Sequence, residues 1–504
     1  MASTLPTELL ICISDILRRE NVSFIPCIPV NRHWRAALEP LLYPILTVYS
    51  SEEYKDEGQE GIPLAHFKSL TSGPNTHRRS WIREIRYEIL VPFELGDWET
   101  ETDDSVKYII NNPIRRLNDE AFQDAVVELF RELSDWDSAH RISLRLELRS
   151  QRPDENDEAP ERDTWYSSYA HKEYPEEETY RAIEPYRARF LVEDGASSPS
   201  LESGPCIQEL AFKNVFDRDK RDHLHQIWAG CALDIARYCP TLEELDLDLD
   251  EWVRPDFLKY IRCRRDTVAK GLEDLPPTLR VLRYKNSLEE PWNNTMSALN
   301  VLSTDVDVLA LNLRMLSFSL RELVISKTSL PLDFLCPLDE TGEPIPDLET
   351  REWPNLRKLE LINTPAALPS GKWLMRPNPG FQKRRKRISP TNEGEISEYE
   401  EIDGEPFCPS PDTEGFDRLC ISLGYAFRRM PQVTAIGFNV TGSCFYHIVY
   451  RFDERSGDWI LEWESHARYR PDERVARAWG FEWGDLRANW FYPEACSAVI
   501  RGGF

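Results

Sequence analysis

The chain has 504 residues, 41% of them hydrophobic and 29% charged, with a formal net charge of −26. Such a length supports several domains or one elongated array, and the acidity argues against DNA or RNA as the main ligand, because phosphate binding draws on clustered Lys and Arg. No apolar run approaches the ~18–20 residues that span a bilayer, so no membrane partner is expected.

The opening residues Met1-Ala2-Ser3-Thr4 lack the basic flank of a signal peptide. Eleven cysteines without a Cys-x-x-Cys pair then imply reduced thiols in the cytoplasm or nucleus. Residues 1–49 predict a compact helical domain. Thr7 is placed to cap the first helix, with Pro6 and Glu8 at its start. Leu9, Ile13, Ile16 and Leu17 recur at helical steps, and Val30, Trp34 and Leu38 repeat that step in a second segment. So small a unit buries only a few side chains. Leu5, Pro6, Leu9 and Trp34 are therefore expected to be left for a partner's groove.

The pattern Leu-Pro-x-Glu-Leu-Leu-x-x-Ile is carried by Leu5, Pro6, Glu8, Leu9, Leu10 and Ile13. With Leu17, Val30, Trp34 and Arg35 it resembles the F-box motif, and the continuation from Trp34 to Tyr43 is similar to F-box proteins of filamentous fungi. The resemblance implies a substrate-recognition subunit of a Skp–cullin–F-box (SCF) ubiquitin ligase. Leu5, Pro6, Leu9, Ile13, Leu17, Val30 and Trp34 would then bind the Skp adaptor and, through it, a cullin, while the rest of the chain selects a protein substrate. Two departures stand out: Pro26 and Pro29 interrupt a stretch that is usually helical, and Pro29 and Asn31 flank the valine where the family often has serine or cysteine. Three alternatives stay open: a ligase-independent protein-binding scaffold with a degenerate F-box, an enzyme whose site is scattered over loops, and an ordinary helical cap whose Trp34 packs against its own solenoid.

Residues 50–200 predict irregular first repeats. Ile82-x-x-Ile85-x-Tyr87 and Ile142-x-Leu144-x-Leu146-x-Leu148 read as strands, with Phe122, Val126, Leu129, Phe130 and Leu133 as a helix capped by Asn118. Residues 151–183 alternate acids with Tyr166, Tyr169, Tyr174 and Tyr180; this is a solvated loop or a grip for a basic partner.

Over 201–440 one phrase recurs, beginning at Ile207, Leu242, Leu279, Leu320 and Leu356, with starts 35, 37, 41 and 36 residues apart. Val433-x-x-Ile436-x-Phe438 repeats it once more. That regularity predicts a solenoid, and the phrase resembles the strand of a leucine-rich repeat, in units longer than the usual ~20–29 residues. Helices are expected at Leu224–Tyr238, Phe257–Leu272, Val306–Leu316 and Phe416–Met430, with prolines turning several of them into the next strand. The predicted fold class is α/β: an all-α amino-terminal unit, a leucine-rich-repeat-like curved sheet with outer helices, and a carboxy-terminal cap. Asp246, Asp248 and Asp250 alternate with leucines, which puts them on one strand face as a candidate substrate-binding stripe. The bland reading is a half-exposed strand in an acidic protein.

Residues 376–413 are Pro-, Glu- and Ser-rich and predict a disordered insertion; Lys383–Arg387 within it resembles a nuclear-import signal or is a solvated charge run. Residues 441–504 predict a hairpin, a helix at Glu473–Trp479 and a cap built on Trp459, Trp463, Trp479, Trp483 and Trp490. No hydrolase elbow or phosphate-cradling loop is present. His223 and His225, two apart on a predicted helix, point away from each other and make a poor metal site. Cys231 and Cys239 read as two buried thiols. The expectation is a non-catalytic protein without metal or cofactor.

Overall fold

In the computed structural model of the protein, the described residues are 5–20, 25–52, 61–93, 113–150, 186–191, 200–212, 226–249, 258–286, 297–346, 351–376, 410–440, 446–453, 458–465, 471–485, 487–488 and 495–500. The chain opens with α1 (Thr7–Arg19), a 3-10 segment at Ile25–Val30, α2 (Arg32–Leu38) and a 3-10 turn at Glu39–Leu42. Strand β1 (Ile45–Tyr49) follows, so the helical unit ends at Leu42 and the last residues of the stretch 1–49 already belong to a sheet. Next come β2 (Ile62–Pro63), α3 (Leu64–Thr71), β3 (Glu84–Val91), α4 (Pro113–Ser134) and β4 (Ile142–Ser150). The short β5 (Arg187–Ala188) and β7 (Gln226–Ile227) pair with each other and flank β6 (Ile207–Phe212) in the chain.

A regular alternation takes over from there: α5 (Ala229–Arg237), β8 (Glu244–Asp248), α6 (Leu258–Glu273), β9 (Val281–Lys285), α7 (Val308–Ser317) and β10 (Glu322–Ser326). β11 (Lys358–Thr364) precedes a two-residue ribbon of β12 (Met375–Arg376) and β13 (Ser410–Pro411), then α8 (Thr413–Phe427) and β14 (Ala435–Val440). The chain closes with β15 (Tyr446–Asp453), β16 (Asp458–Ser465), α9 (Glu473–Trp479), β17 (Arg487–Ala488) and β18 (Ala495–Ile500).

Fourteen strands form one sheet in the order β2-β1-β3-β4-β6-β8-β9-β10-β11-β14-β15-β16-β18-β17. From β2 to β14 neighbours are parallel; beyond β14 they are antiparallel. The protein is thus mixed α/β with a mostly parallel sheet. Each recurring phrase supplies one parallel strand, including the two early ones with poor spacing, since Ile85 pairs with Leu144 and Leu144 with Leu210.

Side-chain alternation explains how the sheet is covered. In β8, β10 and β11 the leucines and isoleucines at every second position are buried, while the residues between them are half-exposed. One face therefore meets the helices and the other stays open. The α4 residues Phe122, Val126, Leu129, Phe130 and Leu133 are fully buried in the core this creates. Hydroxyls tie successive units together: Thr241 Oγ1 donates to the carbonyls of Pro205 (2.7 Å) and Ile207 (3.0 Å). Thr278 Oγ1 repeats this one unit later, donating to Pro240 (3.1 Å) and Leu242 (2.8 Å).

Several expectations need correction. Asn118 does not cap a helix: α4 begins five residues earlier, and the fully buried Asn118 side chain brackets the backbone of Phe93, accepting from its N–H (3.0 Å) and donating to its C=O (2.8 Å). Ile227 lies in a strand and Trp228 before the helix, so α5 is shorter than the apolar stripe implied. The predicted insertion is narrower than 376–413, because Arg376 and Ser410 pair across the ribbon and Thr413 starts α8. Residues 377–409, with Lys383–Arg387, lie outside the described residues, as do 151–185 and His223 and His225.

At the carboxy end the hairpin and α9 stand where expected. Trp479 is fully buried, stacks on Phe427 with ring centroids 5.3 Å apart and donates its Nε1–H to the Cys420 carbonyl at 2.9 Å. Gly424 permits that approach, since a Cβ there would meet the indole at 2.7 Å. Trp483, by contrast, is exposed. The side chains of Trp459 and Trp463, and all of Trp490, are outside the described residues.

Candidate functional site

The amino-terminal unit builds a small core of its own from Leu10, Ala37 and Leu38, against which Leu5, Leu17, Cys27, Ile28, Trp34, Leu41 and Leu42 pack. Asn31 caps α2 by accepting from the backbone N–H groups of His33 (2.8 Å) and Trp34 (3.0 Å). The His33 Nε2 lies 2.6 Å from the Leu5 carbonyl, holding the start of the chain against α2. Pro26 and Pro29 are accommodated because Ile25–Val30 is a 3-10 segment.

Helix α1 consequently has two apolar faces. Leu10 and Leu17, with the small Ser14 between them, point into the unit, whereas Leu9, Ile13 and Ile16 line the side away from it. Leu9 is 49% exposed, Ile16 58%, Ile25 60% and Val30 57%. Of the seven residues expected at a partner interface, Pro6, Leu9 and Val30 are exposed, while Leu5, Ile13, Leu17 and Trp34 are half-buried. Ile16 and Ile25, outside that set, are exposed as well. Ile16 follows Leu9 at helical spacing, whereas Ile25 begins the 3-10 segment, outside that period.

This unit is tied to the 3-10 stretch Gly73–Trp81 that leads into β3. Glu39, after α2, accepts from the Arg78 guanidinium at 2.6 Å, both side chains being largely shielded from water. The same guanidinium lies over the Tyr43 ring (5.4 Å to the centroid), and Tyr43 meets Trp81 at 5.8 Å.

The open face of the sheet carries the other expected site. Asp246 and Asp248 are both half-exposed on β8, as alternation demands, and Asp250 is outside the described residues. They do not form an acidic stripe. Asp246 is in register with Arg283 and Asp248 with Lys285, whose Nζ is 3.3 Å from the Asp248 carboxylate. Arg283 bridges Glu244 and Glu322, at 3.3 Å each. Lys358 reaches Glu322 (3.7 Å) and Glu360 (2.9 Å), and Arg86 and Arg145 share Glu84. The face is a ladder of alternating charges that largely satisfies itself.

Several groups with perturbed acidity sit in the core. Burial pushes the Cys206 and Cys231 thiols up to about 12, as inert structural cysteines require; Cys239 is raised in the same way. Burial also raises Asp119 to about 6, against the pull of hydrogen bonds from the Arg189 backbone N–H (3.0 Å) and the Tyr186 hydroxyl (3.1 Å). Among the described residues no three His, Cys, Asp or Glu side chains converge in a metal-binding group, and no helix is long and apolar enough to cross a membrane. No protein-family model matches the chain, and no curated protein is significantly similar to it.

Proposed function

We propose that the chain is a non-catalytic substrate-recognition subunit of an SCF-type ubiquitin ligase. In this reading α1, the 3-10 segment and α2 form an F-box that docks on a Skp-type adaptor and, through it, a cullin. The strand–helix units that follow form a leucine-rich-repeat-like solenoid that holds a protein substrate. Its contribution is proximity: it raises the effective concentration of substrate lysines near the ubiquitin-charged enzyme and performs no chemistry itself.

The observation that carries the reading is the outer side of the amino-terminal unit. Leu9, Ile16, Ile25 and Val30 stay half or more in solvent although the unit has already filled its own core. Fully burying such a side chain is worth ~1.5–3 kcal/mol. The four half-exposed ones together therefore leave several kcal/mol, on the order of 3–6, available to a partner's groove. Self-pairing of the β8 acids moves the substrate site off Asp246 and Asp248 as isolated charges.

The test is co-expression with a Skp-type adaptor and a cullin, followed by capture on the chain. The native chain should retain both. Leu9→Ala with Val30→Ala should lose at least 90% of the adaptor with an unchanged melting temperature, since neither side chain is part of the unit's core. Undiminished capture by the double variant, or no adaptor on the native chain, would leave the ligase-independent scaffold as the reading.

A further inference from the structure

The second position of the recurring phrase is arginine in three consecutive units: Leu279-Arg280, Leu320-Arg321 and Leu356-Arg357. Glu322 is in register with both Val281 and Lys358, so the three arginines that precede these residues stand side by side at the rim where β9, β10 and β11 begin. Their backbones are joined directly, Arg321 N–H to Arg280 C=O at 2.6 Å and Arg357 N–H to Arg321 C=O at 2.8 Å. All three side chains are exposed. Adjacent strands lie about 4.8 Å apart, so the row holds three cations within roughly 10 Å.

Like charges directly opposite one another on neighbouring strands are destabilising, and on the described strands β3, β4, β9 and β11 the cations Arg86, Arg145, Arg149, Arg283, Lys285 and Lys358 each meet an acid. Here the matching stops. Among the described residues, Arg321 has one long ion-pair contact, to Glu244 at 3.6 Å, and Arg280 reaches the carbonyls of Pro277, Leu279 and Ser319, at 3.3–3.4 Å. Arg357 has no ion pair among the described residues. This row is a local reversal of sign on a chain of net charge −26.

We propose that Arg280, Arg321 and Arg357 form a docking rim for a carboxylate-rich, extended segment of a partner protein. Carboxylates on one side of an extended strand recur every ~6.6–6.8 Å, so two of them fall within the span of the row. Each planar guanidinium fork can donate two parallel hydrogen bonds to a carboxylate. A short peptide also suits the charge of the whole molecule. Exposed charges beyond about 8 Å are screened at physiological ionic strength, so a short segment feels the arginines, whereas a long polyanion meets a chain whose net charge is −26. The inference stands independently of what the amino-terminal helices bind.

The test uses the purified full chain without adaptor and a fluorescein-labelled dodecapeptide of alternating Glu and Gly, read by anisotropy. Native binding should weaken steeply with salt. Replacing all three arginines with Gln should reduce affinity at least tenfold, and Arg357→Gln, which breaks no ion pair among the described residues, about threefold. The triple Lys variant should recover only part of the loss. Several results would overturn the proposal: no binding by the native chain, undiminished binding by the Gln variants, full recovery with Lys, or a more than tenfold preference for a phosphoserine peptide or an oligonucleotide of equal charge. None of these depends on adaptor capture, which Leu9 and Val30 report separately.

Discussion

Asp119 shows how one residue couples the fold to pH. Its Oδ1 accepts both the Tyr186 hydroxyl and the Arg189 backbone N–H, pinning the segment around β5 to α4. Burial nevertheless raises its pKa to about 6. Because the folded value lies above the unfolded one, the native state binds the proton more tightly, and stability falls as pH rises from about 4 to about 6. An amide oxygen accepts the same two hydrogen bonds without the charge. Asp119→Asn should therefore melt at or above the native temperature at pH 7.5, with the difference shrinking between pH 6 and pH 4. A loss of several degrees at pH 7.5 would show that the anion is needed. Single residues were the least legible scale in the sequence. Trp34 reads as an anchor for a partner; in the structure it is half-buried against the unit's own core, a contact the sequence did not announce. Asp248 reads as a free acid because its partner, Lys285, is 37 positions away, a separation only the register reveals.

Between elements, the joint of α6 and α7 is held by a buried ion pair. Arg265, its side chain 2% exposed, donates to both carboxylate oxygens of Asp307 (2.9 and 2.8 Å) and to the Ser329 carbonyl (3.0 Å). Asp307 also caps α7 by accepting from Ala310 N–H at 3.1 Å. Removing one partner of such a pair typically costs about 3–5 kcal/mol, because the other charge stays buried, whereas an apolar pair of similar volume can be nearly neutral. Denaturant unfolding should place Asp307→Ala in that range and Arg265→Met with Asp307→Leu well below it. A small effect of the single change would mean that water reaches the guanidinium. Elements were far easier to read than residues: every recurring phrase became a parallel strand, because two alternating apolar positions fix which face is buried. The errors fell where two signals coincide. An Asn just before an apolar stripe looks the same as a cap and as a buried bracket within a longer helix, and the better marker of the α4 start was Pro113 at its first position.

For the molecule as a whole, the decisive contact is the seam between the helical unit and the sheet. Glu39 and Arg78 meet across it beside the Tyr43–Trp81 pair. A double-mutant cycle on Glu39→Gln and Arg78→Met should return about 1 kcal/mol of coupling, read as unfolding free energy. Coupling near zero would mean that the aromatic contact alone holds the seam. This organisation was legible only in part. A repeat declares itself in one dimension, but nothing in the spacing foretold that the expected hairpin would continue the same sheet beyond β14 or that the first strand would start at Ile45. The seam has a metrical consequence. Five strand intervals separate β1 from β9 and seven separate it from β11, so at about 4.8 Å each the arginine row stands roughly 24–34 Å from the seam, before any twist is allowed for. Along the sheet the strands act as a gauge block: deleting one strand–helix unit between β4 and β8 would bring the arginine row closer to β1 by a single strand interval.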